Sequence, residues 1–298
     1  MTPKAPFDFA KMLQRPLSRP LKVNVIDPEA LSYTTALRLP TRIIPVTIVS
    51  MGTVDHPTLR LTCPDGLSDE ERTAVRETVC RMFSTEIDLT DFYARLSITE
   101  QGSALLKRHD GLRPIHDASL FESMVKVIIG QQLHVRFAAV LVDRLVELGG
   151  EAVEWNGMRL SVFPSSAQVA CWSYEQLQAL SFSRRKAEYV IDFARAVENG
   201  RVDLESLWRM PDDQIYEELL SLRGIGRWSV ECFLLFGLGR PDVMPAADIG
   251  VQSAMQRLYG MAHRPGEAEV RRLAEAWAPW RSYATYYLWQ SLIRAVSA

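Results

Sequence analysis

The sequence is poor in the residues from which metal centres are built. Its 298 residues include four cysteines and five histidines. Cys63, Cys80, Cys171 and Cys232 are scattered, with no pair at metal-ligand spacing and no sign of a disulfide framework. His56, His109, His116, His134 and His263 are equally dispersed. A Cys/His zinc site and a four-cysteine iron–sulfur cluster are therefore not expected. No apolar run reaches the length of a membrane span. The opening MTPKAPFDFAKMLQ has no apolar segment after a basic start, so no secretory signal is expected and the expected location is cytoplasmic. No internal repeat or low-complexity tract is present. Positive charge is not in excess either, with a net charge of −2 and a pI near 6.3. That argues against a protein that coats nucleic acid nonspecifically, while leaving room for a local basic face.

What is present is an ordinary globular balance, 47% hydrophobic and 23% charged, in a length that accommodates two domains. Residues 38–63 read as strands, because RIIPVTIVS is β-branched and TLRLTC alternates. Pro45 implies an edge position or a break. After the turn Pro64-Asp65-Gly66, Ser68 and Glu71 form a capping-box pattern that opens a helix with Val75, Val79, Met82 and Phe83 inward. This N-terminal third is expected to be α+β. Beyond residue 90 the pattern is helical, with one strand candidate in MRLSVF, Met158 to Phe163. Ser119 and Glu122 form a second capping-box pattern, for a helix burying Leu120, Met124, Val127 and Ile128 and stopped at Gly130. Ser173 and Gln176 open another. Ser183 caps one more, with Ala187, Val190, Ile191, Ala194 and Val197 inward. Further helices are expected over 212–221, 227–237, 249–259, 266–276 and 280–295.

Two places carry chemistry. The first is Arg223-Gly224-Ile225-Gly226-Arg227, a tight turn between two helices. Glycines let the chain turn through conformations closed to other residues. They also leave backbone N–H groups open at the start of the second helix, where the helix dipole favours a phosphate. Arg223 and Arg227 add charge there. The plain alternative is an ordinary helical corner with Gly224 as a C-cap. The second place is Asp248, directly before Ile249-Gly-Val-Gln-Ser-Ala-Met. Its default role is an N-cap, which does not prevent the carboxylate from also facing a cleft. Arg136, Arg184, Arg185, Lys186 and Arg240 are candidates for a phosphate-binding face, although charge runs usually only solvate a helix.

Leu222-Arg-Gly-Ile-Gly-Arg-Trp-Ser, then a loop with Pro245 and Asp248-Ile-Gly-Val, resembles the hallmark of the helix–hairpin–helix DNA glycosylase superfamily. Within it the chain most resembles the bacterial 3-methyladenine DNA glycosylase II class. FESMVKVIIGQQLHVRFAAVLVDRL is similar to that family's first helix pair, FSRRKAEYVIDFARAV to a later helix, and WAPWRSYATYYLW to its closing helix. The resemblance implies an α+β N-terminal domain over 1–112 and a mostly helical glycosylase domain over 113–298. The helical domain would have two lobes and carry the hairpin at 212–237. It implies excision of a flipped base by hydrolysis of its N-glycosidic bond. Asp248 matches the family's acid, which would stabilise the oxocarbenium-like sugar and orient or deprotonate the water. Trp228, Tyr286 and Trp289 would line an aromatic pocket for a cationic base. Tyr283 and Tyr287 read as core. Cys232 departs from the pattern, because the bacterial archetype has an aromatic residue there, and this leaves the pocket's shape open. Trp228 stands where bifunctional relatives carry a lysine nucleophile, so Schiff-base chemistry is not expected. Gln132, with Leu133 beside it, matches the loop that fills the gap left by the flipped base. The implied partner is double-stranded DNA with damaged bases, bound by a monomer. No cofactor or metal is implied, although a structural monovalent cation at the hairpin carbonyls is compatible with the pattern.

Two other readings remain. One is a non-catalytic DNA-binding module built on the same hairpin. Asp248 argues against it, because an unpaired acid beside phosphates costs affinity. The other is a glycosylase for oxidised or deaminated bases. The absent lysine and cysteine cluster argue against the best-known of these.

Overall fold

The computed structural model describes residues 1–293. The chain starts with α1 (Phe9–Leu17), whose N-cap Asp8 accepts the Lys11 N–H at 2.9 Å. An antiparallel meander follows: β1 (Asn24–Asp27), β2 (Ser32–Arg38), β3 (Ile43–Ser50) and β4 (Leu59–Thr62), in that spatial order. Ile44, Val46 and Ile48 alternate along β3 and are all buried, as the period of a strand requires. Pro45 sits opposite Ala36 of β2, and β4 joins the pairing only from Thr47. The proline therefore occupies a stretch of β3 with a single neighbour. Next come α2 (Asp69–Met82), opened by the expected Ser68–Glu71 capping box, α3 (Thr90–Leu96) and α4 (Glu100–His109).

The helical part begins with α5 (Leu120–Gly130) and α6 (Val135–Gly149). A small hairpin of β5 (Ala152–Trp155) and β6 (Met158–Ser161) follows. Then come α7 (Ser166–Ala170), α8 (Tyr174–Ala179), α9 (Arg184–Glu198), α10 (Asp212–Leu220) and α11 (Arg227–Phe236). The chain closes with α12 (Ile249–Leu258), α13 (Glu267–Ala274) and α14 (Arg281–Ser291).

The structure amends several expectations. The strands begin at Asn24 rather than residue 38, and α1 precedes them. The stretch 1–37 offers no clean periodicity, and its pairing depends on β3, which lies later in the chain. At α5 only half of the capping box forms. Ser119 accepts the Glu122 N–H, but the Glu122 side chain turns to Lys126 instead, at 2.5 Å. Gly130 is the last residue of that helix rather than a residue beyond it. The helix expected over 266–276 ends at Ala274 and tightens into a 3-10 turn, Glu275–Trp277. Positions 294 and 295 of the expected closing helix lie outside the described residues. Tyr283 and Tyr287 are buried, as expected.

Two hydrophobic cores organise the body. One joins α1–α4 and the four-stranded sheet to α12, α13 and α14. The other gathers α5 to α11. α11 belongs to both: Cys232 and Leu235 face the first, while Val230, Phe233 and Leu234 face the second. A helix apolar on every side must be covered on every side, which explains the run Cys232 to Phe236. This shared helix places the hairpin at the seam between the cores. Among the described residues no helix is long and apolar enough to cross a membrane.

Near the seam, His116 is buried with its Nε2 3.0 Å from Ser84 Oγ. Burial, reinforced by the charge of Arg81, pushes the imidazole down from 6.5 to about 4. The folded protein keeps it neutral while the unfolded chain protonates it, so stability is full above pH 6.5 and falls as pH drops towards 4. Denaturant titrations across that window should show this slope in the wild type and a shallower one in His116→Gln.

Candidate active site

Asp248 caps α12, and its Oδ1 accepts the Val251 N–H at 2.9 Å. The expected N-cap role is therefore real, but it is not the whole of the arrangement. Trp289 on α14 donates its indole N–H to the same oxygen at 2.8 Å. Trp228 on α11 donates its indole N–H to Oδ2 at 3.1 Å. Three helices thus converge on one half-buried carboxylate. Two carboxylate oxygens offer about four acceptor sites, and three are used. The open one is on Oδ2.

Gly250 makes this approach possible. A Cβ at that position would lie 2.9 Å from Asp248 Oδ1 and 3.2 Å from Trp289 Cδ1. Any side chain there would press the indole away from the carboxylate.

Trp228 and Trp289 were expected chiefly as pocket walls. In the structure they are also the two donors that fix the acid. The aromatic surface beside them is wider than expected. Phe236 stacks on Trp289 with ring centres 5.3 Å apart and planes 13° apart. Buried Tyr286 meets Phe236 edge-on at 6.5 Å. Phe236 lies one turn beyond Cys232 on the same side of α11. Cys232 is a buried thiol, pushed well above its ordinary value by burial and then by the Asp248 charge.

The hairpin between α10 and α11 turns at Gly224, with φ of +87°. The Tyr189 ring fills the space where a Cβ would stand, at 2.3–2.5 Å. Gly226 is the N-cap of α11 and supplies no capping side chain. Among the described residues the backbone N–H groups of Gly224, Gly226 and Arg227 meet no acceptor. Ile225 is buried in the second core and anchors the turn. The carbonyls of Leu222 and Gly224 already have donors, Ile225 N–H and Gln131 Nε2.

The arginines of the turn are held rather than loose. Arg223 pairs with Glu188 at 2.6 Å and lies over the Tyr189 ring. Arg227 pairs with buried Glu231 at 3.2 Å and lies over Tyr216. Two other basic candidates prove to be internal ties. Lys186 donates to the Ile128 and Gln131 carbonyls, and Arg240 donates to Met210 O and pairs with Asp212. Each closes a loop or helix end, so neither is available for a phosphate face.

The loop between α5 and α6 is tied to the hairpin. Gln131 donates its amide to Gly224 O at 2.8 Å and to Ser229 Oγ at 2.9 Å. Gln132, next in the chain, is exposed with φ of +54°, a strained setting for a residue with a side chain. Leu133 instead packs on the second core. Gln131, Phe236 and Gly250 were missed from sequence. Phe236 was within reach, because it stands eight residues after Trp228 on one helical stripe.

The fold and the site together define a helix–hairpin–helix protein with an acid-centred seam. Residues 125–279 match the model of the HhH-GPD superfamily base excision DNA repair protein, and the chain belongs to that superfamily. The provisionally named DNA-3-methyladenine glycosylase YfjP of Bacillus subtilis is 34% identical over 289 residues, covering 96% of each chain. The solved 3-methyladenine DNA-glycosylase of Archaeoglobus fulgidus superposes with a TM-score of 0.86 at 27% identity, over 97% of this chain and 96% of its own. A Schizosaccharomyces pombe 3-methyladenine DNA glycosylase, solved with abasic DNA, gives 0.61 at 28% identity, over 70% of this chain and 100% of its own.

Gly224→Ala is expected to destabilise the protein by about 1–3 kcal/mol, through a disfavoured φ and the collision with Tyr189. Urea denaturation measures the loss, and a filter-binding titration with duplex DNA should weaken in parallel.

Proposed function

We propose that the protein is a monofunctional DNA glycosylase of base excision repair that releases alkylated purines and leaves an abasic site. Its substrates are purines carrying a methyl group at N3 or N7. Such a base is already cationic in the nucleotide, and it departs as a neutral molecule when the glycosidic bond breaks. No general acid is needed, so one carboxylate suffices.

The observation that carries the reading is the fixing of Asp248 by two indoles beside an aromatic surface. As the bond to the base breaks, positive charge develops on the sugar. A carboxylate already oriented by three donors stabilises that charge without having to reorganise. Its open site on Oδ2 is suited to orient the attacking water and take a proton from it. The faces of Trp289, Phe236 and Tyr286 favour a cationic base over a neutral one.

The hairpin anchors the duplex. The unpaired N–H groups of Gly224, Gly226 and Arg227 and the uncapped start of α11 suit a phosphate oxygen. Arg223 and Arg227 add charge to that contact. Gln132 is the side chain that fills the stack behind the flipped base, with Leu133 as its packed support. Trp228 occupies the place of a lysine nucleophile, so no covalent intermediate and no strand cleavage follow.

Asp248→Asn should bind alkylated duplex DNA as well as the wild type and release methylpurines at least a hundredfold more slowly, on the order of the loss seen when a preorganised electrostatic contact is removed. Wild-type products should show strand breaks only after alkali. Equal release by both proteins would reduce Asp248 to a helix cap. Gly250→Ala presses Trp289 away from the acid, and release should fall about a hundredfold, with a modest fall in the thermal midpoint as well.

A further inference from the structure

The aromatic surface beside Asp248 is already occupied. Arg15, on α1 of the N-terminal part, holds its guanidinium carbon 5.0 Å from the ring centre of Trp289 and 5.4 Å from those of Phe236 and Tyr286. Three rings on two helices converge on one cation, as in an aromatic cage. Among the described residues no acceptor takes a hydrogen bond from this guanidinium, and none pairs with it as a salt bridge. Its binding to the protein is therefore mainly to the ring faces.

The helix that delivers Arg15 is firmly docked. Gln14, its neighbour, accepts from Gln290 at 2.7 Å, and Gln290 follows Trp289 on α14. Met12 and Leu13 are buried in the first core. The anchor is rigid while the arginine stem is long and flexible. Burial holds Arg15 below the ordinary arginine value, while Tyr286, Asp248 and Cys232 pull the other way. Arg19 is likewise held down, first by the charge of Arg15 and then by burial. Both still carry their protons under physiological conditions.

We propose that the Arg15 side chain and the flipped base compete for the same cage, so that the free protein keeps its base pocket closed with a cation of its own. This rests on the cage being the base pocket, as argued above. A base can enter only when Arg15 swings out. DNA phosphates offer charged acceptors that no described residue gives this guanidinium, so binding DNA favours the open state. The cost of displacing Arg15 is the same for every base. Arg15 therefore sets a threshold for entry, while the rings and Asp248 set the preference for a cationic base. Apparent affinity falls by the fraction of time the cage is vacant, so a cage closed nine-tenths of the time weakens binding about tenfold.

The test uses the 3,9-dimethyladeninium ion, a permanently cationic N-alkylated purine with no sugar and no glycosidic bond to cut. Isothermal titration without DNA compares the wild type with Arg15→Ala and Arg15→Lys, each first checked by thermal unfolding. Arg15→Ala should bind the probe at least tenfold more tightly, and Arg15→Lys, which keeps a cation on a long stem, should stay near the wild type. Equal or weaker binding by Arg15→Ala would overturn the proposal. If Arg15→Ala does not fold, Arg15→Gln makes the same comparison with the side chain's length kept. Release of methylpurines from duplex DNA by the wild type is measured alongside. Release without tighter probe binding by the variant defeats the Arg15 inference alone, whereas no release at all defeats the functional reading and this inference with it.

Discussion

Two indole N–H groups on one carboxylate are the constraint around which the molecule is arranged. Trp228 and Trp289 stand on different helices and reach opposite oxygens of Asp248, which itself caps a third. The three helices must therefore meet at one point with little tolerance. α11 is buried on both sides because it belongs to both cores. α14 is buried from Ser282 to Gln290, so neither helix can shift without disturbing a core. Gly250 removes the one Cβ that would hold the indole away. A carboxylate fixed this way presents its charge in a set direction, as a site needs if it is to stabilise charge that exists only in passing.

The same economy of connection runs through the hairpin and the α5–α6 loop. Gln131 joins the loop carrying Gln132 to the hairpin carbonyl, and Lys186 closes the end of α5 behind it. The hairpin proposed to anchor phosphate and the loop proposed to fill the stack thus share hydrogen bonds. Arg223 and Arg227 keep their charge exposed while each leans on an acid and a ring. With a net charge of −2, attraction to DNA has to be local, and a pre-positioned pair of arginines beside open backbone donors is one way to make it so.

Much of the helical part was legible because its signals are local. The Ser68, Ser173 and Ser183 caps formed where their patterns placed them, and α10 to α12 ended within a residue of the expected bounds. The glycine turn and the N-cap at Asp248 were legible locally, whereas any role beyond structure was read only from the family resemblance. What was not legible depends on contacts far apart in the chain. Arg15 precedes Trp289 by more than 270 positions, and nothing in α1 marks its arginine as different from its neighbours. β1 and β2 are strands because β3 pairs with β2, not because their own residues alternate cleanly. Gly250 looked like one more small residue at a helix start until the indole was placed beside it. Lys186 and Arg240 looked free because a sequence does not show which carbonyls lie within reach.

We infer that the Trp289 indole acts through the carboxylate rather than only as a stacking surface. Single-turnover release of methylpurine tests it most directly, using Trp289→Phe in the wild-type background and again in Asp248→Asn. Phenylalanine keeps a ring and removes the N–H. Release should fall about tenfold or more in the wild-type background, with little further loss once the carboxylate is gone, as coupled residues behave. An equal loss in both backgrounds would mean that Trp289 serves the base alone, and the indole-held carboxylate would no longer explain the site.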